Sequence, residues 1–284
     1  MQLNPARVLS HLIATGGSAL LRAAIPLFNR SLPRGGYTVK TDIAYGVDPR
    51  HKLDLYVPDG LTRPAPALLF FYGGSWQSGS KAIYRAFGQA FAACGIVVAV
   101  ADYRLYPQAK YPAFVADGAQ ALRFVHGHVG EVGGDAARIF LCGHSAGAYI
   151  AAMLAVKDSY LLDAHADPAW IRGVIGIAGP YDFLPLHDPA LIDIFGGARE
   201  MATQPIKYAG RKTVPMLLAH GTADRTVGAG NSRRMAERLR QAGNTVELIE
   251  YAGVSHLGIV ISLAHGFRGR TTLHEDMIHF ITAH

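Results

Sequence analysis

The chain has 284 residues, half of them hydrophobic and 17% charged, with a formal net charge of +6 and a pI near 9.3. That apolar content excludes a disordered chain, and the length allows one large α/β domain or two small ones. The positive balance invites a nucleic-acid reading, but Arg and Lys are spread along the chain. The densest cluster, Arg233, Arg234, Arg238 and Arg240, shares a helical stretch with Met235, Ala236 and Leu239, so it reads as a solvated helix face, and no nucleic-acid-binding motif is present.

In chain order, residues 1–36 place Leu9, Leu12, Ile13, Leu20, Ala23, Ala24 and Leu27 at a roughly helical spacing. His11 and Arg22 interrupt the apolar stretch and no clean small-x-small cleavage site follows. The segment therefore reads as an amphipathic helix capping the main domain, in preference to a signal peptide, and a cytoplasmic location is expected. A membrane-surface helix is the weaker reading, because the polar face is poor in Lys and Arg. No run is long and apolar enough to span a membrane.

From Tyr37 onward, strand and helix patterns alternate. Leu53–Val57 and Ala67–Tyr72 read as strands, Ile83–Cys94 as a helix, and Ile96–Tyr103 as a strand. Pro112 suits the first turn of a helix carrying Val115, Ala119, Leu122 and Val125. Arg138–Cys142 is the next strand, followed by a buried helix after Ser145. Val174–Ala178, Pro215–Ala219 and Val246–Tyr251 read as strands, Ser232–Ala242 and Leu273–Ala283 as helices. Continuous apolar strands separated by helices predict an α/β fold with a mostly parallel sheet covered on both faces and its chemistry at the carboxyl ends of the strands. The segment 183–212, with Pro185, Pro189, Gly196, Gly197, Pro205 and a short helix at Ala190–Phe195, breaks the alternation and is expected to cap the strand ends. Cys94 and Cys142 fall in apolar segments and read as small core residues.

Four groups follow strands. "IFLCGHSAGAY" (residues 139–149) places Ser145 in a sharp strand–turn–helix bend; Gly-x-Ser-x-Gly is weak alone, but that context raises its meaning. A serine hydroxyl is a poor nucleophile without an adjacent base. "LLFFYGGSWQSG" (68–79) ends a buried strand in Gly73-Gly74-Ser75-Trp76, where adjacent glycines can turn N–H groups toward a developing oxyanion. "LLAHGTADRTV" (217–227) brings Asp224 after a strand, with Asp182 as the rival acid, and "YAGVSHLGI" (251–259) brings His256 after the next. The order Ser, Asp, His, each after a separate strand, fits a hydrolase arrangement. A turn serine, a capping aspartate and a loop histidine are the structural alternatives for these groups taken singly.

Together with "LDLYVPDG" and "ADYRLYPQAKYPAFVADGAQALRFV", these stretches resemble the α/β-hydrolase family, in particular its esterase branch with an HGGG- or HGGxW-type loop. The likeness covers nearly everything after Tyr37 and leans toward feruloyl-esterase-like and arylformamidase-like members, which are related to the hormone-sensitive-lipase-like esterases. The resemblance implies an α/β-hydrolase catalytic domain over residues 37–284, with Ser145 as nucleophile, His256 as general base and then acid, and Asp224 as its orienting partner. It implies an oxyanion hole from the N–H groups of Gly73, Gly74, Ser75 and Ala146, and neither cofactor nor metal. Two departures stand out. Tyr72 replaces the usual loop histidine and would have to brace the loop in another way, and His144 and Ala148 flank the serine where the hormone-sensitive group usually has Asp and Gly. Trp76 and the 183–212 segment are expected to line a pocket for a small apolar or aromatic ester. An amide, with an N-formyl aryl amide as the sharpest case, and a non-catalytic ligand-binding role are the alternatives.

Overall fold

The computed structural model describes residues 35–284; the N-terminal helix expected within residues 1–36 lies almost wholly outside them. Eight strands form one sheet: β1 (Tyr37–Ala44), β2 (Lys52–Pro58), β3 (Ala65–Phe71), β4 (Val97–Ala101), β5 (Gly134–His144), β6 (Ile171–Ile177), β7 (Met216–Gly221) and β8 (Val246–Tyr251). Their spatial order is β1-β2-β4-β3-β5-β6-β7-β8. The pairs β1–β2 and β2–β4 are antiparallel and the remaining pairs are parallel. The central strands β3, β4 and the second half of β5 are buried along their length, as strands covered on both faces must be.

The crossovers are helical. Helix α1 (Arg85–Ala92) joins β3 to β4, α2 (Ala113–His128) joins β4 to β5, and α3 (Ala146–Val156) follows β5 directly. Every residue of α3 is buried, consistent with its apolar circumference. A Cβ on Gly118 of α2 would sit 2.8 Å from Ile150 and 3.1 Å from Leu154, so α2 and α3 pack closely on one face of the sheet. The short α4 (Ser159–Asp163) precedes β6; α5 (Pro189–Phe195) and α6 (Pro205–Tyr208) lie between β6 and β7. Helix α7 (Gly230–Gln241) buries Met235, Ala236 and Leu239 and exposes all four of its clustered arginines, as its pattern predicts. Arg233 and Arg234 are ion-paired to Glu250 and Asp182. Helix α8 (His256–Ile261) and α9 (Leu273–Ala283) complete the chain. On the face opposite α3, His274 of α9 lies 3.2 Å from the carbonyl of Ala90 in α1, and Phe280 packs against Phe140.

One expectation is overturned. Cys94 is exposed, because α1 ends at Ala92 and the chain turns outward through Gly95; Cys142, on β5, is buried as expected. Among the described residues, no helix is long and apolar enough to cross a membrane.

Candidate active site

Ser145 occupies the bend between β5 and α3 with φ 55° and ψ −120°. That is a costly backbone for a residue bearing a Cβ, on the order of 1–3 kcal/mol. The flanking glycines allow the bend to close. A Cβ on Gly143 would lie 2.2 Å from the carbonyl of Gly147, and one on Gly147 would lie 2.0 Å from the carbonyl oxygen of Phe71 at the end of β3. Ser145 N–H donates to Ile177 O at 2.8 Å, pinning the bend to the end of β6. Its side chain lines a cavity of about 340 Å³ with Ser75, Trp76, Phe183, Leu186 and Leu191.

Asp224 and His256 are brought together from the segments that follow β7 and β8. His256 Nδ1–H donates to Asp224 Oδ2 at 2.7 Å, which leaves Nε2 of the neutral ring as the basic nitrogen. Asp224 Oδ1 accepts the N–H groups of Thr226 and Val227, each at 2.9 Å. Burial works against charge on this carboxyl, but bonds from His220, His256 and the Val227 N–H outweigh it and hold the group well below the usual carboxylate range. His220 is fully buried, with Nε2 2.8 Å from Val227 O and 3.3 Å from Asp224 Oδ2. Both partners are acceptors, so Nε2 carries the proton and Nδ1 accepts from Ser232 Oγ at 2.7 Å. The rival acid Asp182 is engaged by Arg234 on α7.

His256 is the first residue of α8, whose cap is the Ser255 hydroxyl, and not a loop residue. Its ring lies 4.8 Å from that of His144, the residue before Ser145. Among the described residues, Ser145 Oγ makes no hydrogen bond; the structure joins acid and imidazole and places the pair against the serine bend.

The glycine loop lies alongside. Gly73 is the exception among the expected oxyanion donors: its N–H is turned to Tyr84 Oη at 3.3 Å. The N–H groups of Gly74, Ser75 and Ala146 have no acceptor among the described residues. Ser75 and Trp76 take positive φ, 54° and 60°. Tyr72 braces the loop in place of histidine. Its phenol accepts from Arg50 Nη2 at 2.6 Å, its carbonyl accepts from Tyr103 Oη at 2.9 Å, and its ring stacks on Tyr103 at 4.7 Å. Arg50 also donates to Tyr103 O at 2.7 Å. Trp76 is 3% exposed and sits in an aromatic cage, edge-on to Tyr149 and Phe195 and stacked on Phe114 and Phe183. Among the described residues, no group of three or more His, Cys, Asp or Glu is placed to hold a metal ion.

Arg50, Tyr84, His144 and His220 stand in the site in addition to the residues expected from the sequence. For His220 a signal existed: it ends an apolar strand immediately before the turn carrying Asp224.

Comparison with known proteins agrees with this architecture. The BD-FAE family model matches residues 53–239, and the prolyl oligopeptidase family model matches residues 196–284. A probable isoprenylcysteine alpha-carbonyl methylesterase of Arabidopsis thaliana is 33% identical over 78% of this chain; the chain spans about half, 52%, of that relative's length. A kynurenine formamidase of Salmo salar is 25% identical, covering 82% of this chain and 80% of its own. The apo form of Thermogutta terrifontis esterase 2 superposes with a TM-score of 0.70 at 29% identity, covering 88% of this chain and 96% of that one. Fold and family match together show that the chain belongs to the BD-FAE family and has the α/β-hydrolase fold.

Proposed function

We propose that this carboxylesterase-type enzyme cleaves carboxylic esters of small apolar or aromatic substrates through an acyl-enzyme on Ser145. The observation that carries the reading is the 2.7 Å His256–Asp224 pair packed against the strained serine bend. Ser145 Oγ attacks the ester carbonyl while His256 Nε2 takes its proton. The carbonyl oxygen becomes an oxyanion, met by the N–H groups of Ala146 and of Gly74 or Ser75. The tetrahedral intermediate collapses, the alkoxide leaves with the proton from His256, and the acyl group remains on Oγ. Water, deprotonated by His256, attacks the acyl carbon; the same proton returns to Oγ as the acid departs. Asp224 holds the imidazole tautomer and stabilises its charged form.

The cavity wall supports the substrate class. Trp76 and the 183–212 residues Phe183, Leu186 and Leu191 give it an apolar lining, in keeping with that segment acting as a cap. The test is a series of p-nitrophenyl esters of increasing acyl length with wild type and Ser145→Ala. Turnover by wild type and its loss in a folded Ser145→Ala protein are expected; undiminished turnover in that variant refutes the assignment. A second reading, hydrolysis of an N-formyl aryl amide, is favoured by the formamidase relative, whose match spans most of both chains. The same machinery serves both, and a formylated aniline in the series separates them.

A further inference from the structure

Three hydrogen bonds run in line from the glycine loop to the backbone of His256. Gly73 N–H donates to Tyr84 Oη at 3.3 Å, Tyr84 Oη lies 2.9 Å from His144 Nδ1, and His144 Nε2 lies 3.1 Å from the carbonyl oxygen of His256. The partners fix every direction. A carbonyl can only accept, so Nε2 of His144 carries the proton. The neutral ring then offers Nδ1 as an acceptor for the hydrogen bond that the Tyr84 hydroxyl donates. The Gly73 amide can only donate, and it finds a free lone pair on Tyr84 Oη.

We propose that Tyr84 and His144 form a positioning relay that holds the oxyanion loop and the His256 backbone in register with Ser145; the proposal rests on the hydrolase reading above. His144 precedes Ser145 in the chain, so the relay's middle link is built into the serine bend itself. The three bonds span 11, 60 and 112 residues of sequence, tying the segment after β3 to the end of β5 and the end of β5 to the segment after β8. The cavity lining includes Ser75, Ser145 and Ala146 but neither Tyr84 nor His144, so both act through their neighbours. The fit is tight: a Cβ on Gly73 would lie 2.9 Å from His144 Nδ1 and 3.0 Å from Ser145 Cβ. Burial, and then the neighbouring His256, hold His144 down at about 3, while burial pushes the Tyr84 hydroxyl up to about 12. Both links therefore keep their neutral, directional forms around neutral pH. A displacement of about 1 Å in such a constellation is worth on the order of 10²-fold in rate.

The test compares kcat and KM of the full chain and three variants on a short p-nitrophenyl ester, with thermal unfolding measured alongside. Tyr84→Phe removes one hydroxyl and should lower kcat about 10-fold with KM within about twofold. His144→Phe keeps the ring shape, loses both bonds, and should lower kcat on the order of 100-fold. His144→Gln restores an amide N–H near the Nε2 position and should recover kcat to within about tenfold of wild type. Wild-type kcat in both Tyr84→Phe and His144→Phe overturns the relay. Equal losses in His144→Gln and His144→Phe also overturn it, since packing alone would then account for them. If His144→Phe does not fold, Tyr84→Phe decides: a kcat loss at constant KM in a stably folded protein upholds the relay, and unchanged kcat overturns it. A wild type that neither turns over ester nor takes a serine-directed phosphonate overturns the hydrolase reading and the relay together; active wild type with unaffected variants overturns the relay alone.

Discussion

The buried His144 makes a quantitative statement about stability. In the folded chain its ring is 1% exposed and held neutral down to about 3, against an ordinary value of 6.5 for the unfolded chain. Between those limits the unfolded state binds one more proton than the folded state, so acidification favours unfolding. The slope is about 1.4 kcal/mol per pH unit, and at about pH 4.5 the accumulated loss is roughly 2.7 kcal/mol relative to neutral pH. His144→Gln removes the titration while leaving the buried His274 and the half-exposed His126, whose values are also lowered, in both proteins. The assay is urea unfolding of wild type and variant at neutral pH and at about pH 4.5, with reversibility checked. Wild type should lose about 2.7 kcal/mol more than the variant over that interval, roughly 4–5 °C in Tm for a chain this long. Parallel losses in the two proteins would show that His144 is not held neutral, and the directions assigned to its two hydrogen bonds would fall with it.

Other perturbations follow from the same geometry. Asp224→Asn should lower kcat by on the order of 10⁴: an amide N–H facing His256 Nδ1 favours the tautomer with the proton on Nε2, where a base is needed. It also sets a donor against His220 Nε2–H, so a drop in Tm should accompany the rate loss; retained activity would remove Asp224 from its role. Arg50→Met withdraws the donor from Tyr72 Oη and Tyr103 O and should cost about 1.5–3 kcal/mol in denaturant unfolding, with a fall in kcat as the glycine loop loosens. Trp76→Leu opens the aromatic cage beside the cavity and should move the best substrate in a p-nitrophenyl ester series toward longer acyl chains; an unchanged profile would take Trp76 out of the pocket wall. Ser75→Gly relieves a positive φ and should raise Tm without raising kcat.

How much of this was legible beforehand depends on the range of the interaction involved. The buried strands of the sheet announce themselves as apolar runs, and Val246–Tyr251 and Leu273–Ala283 fall where the pattern places them. Strand β1 escapes because its residues are largely exposed, with Lys40, Thr41 and Asp42 breaking any apolar run. Strand β5 begins at Gly134, four residues before the expected start at Arg138, because the polar Asp135 and the small residues around it form no apolar run. Ser145, Asp224 and His256 are visible because each sits in a short local motif at a strand end. Tyr84 and Arg50 carry no such mark, and His144 is visible only as the variable position before the serine, with nothing local to show its partners. Their roles come from partners 60, 112 and 22 residues away, and only the folded sheet makes those neighbours.

Backbone strain offers an independent route to the same place. Six non-glycine residues with positive φ occur among the described residues, and Ser75, Trp76 and Ser145 all line one cavity. A fourth, Ala178, directly follows Ile177, whose carbonyl holds the Ser145 N–H. At about 1–3 kcal/mol each, such conformations persist only where surrounding contacts over-determine them. Those contacts are identifiable here: the wholly buried helix α3 behind Ser145, the contact of Gly147 with the end of β3, and the Arg50–Tyr72–Tyr103 brace beneath the glycine loop. An unstrained turn would suffice to join a strand to a helix. Concentrating the strain at one rim, where a hydroxyl, two unsatisfied loop N–H groups and a carboxylate-held imidazole adjoin, supports the acyl-transfer site proposed above over a purely structural turn.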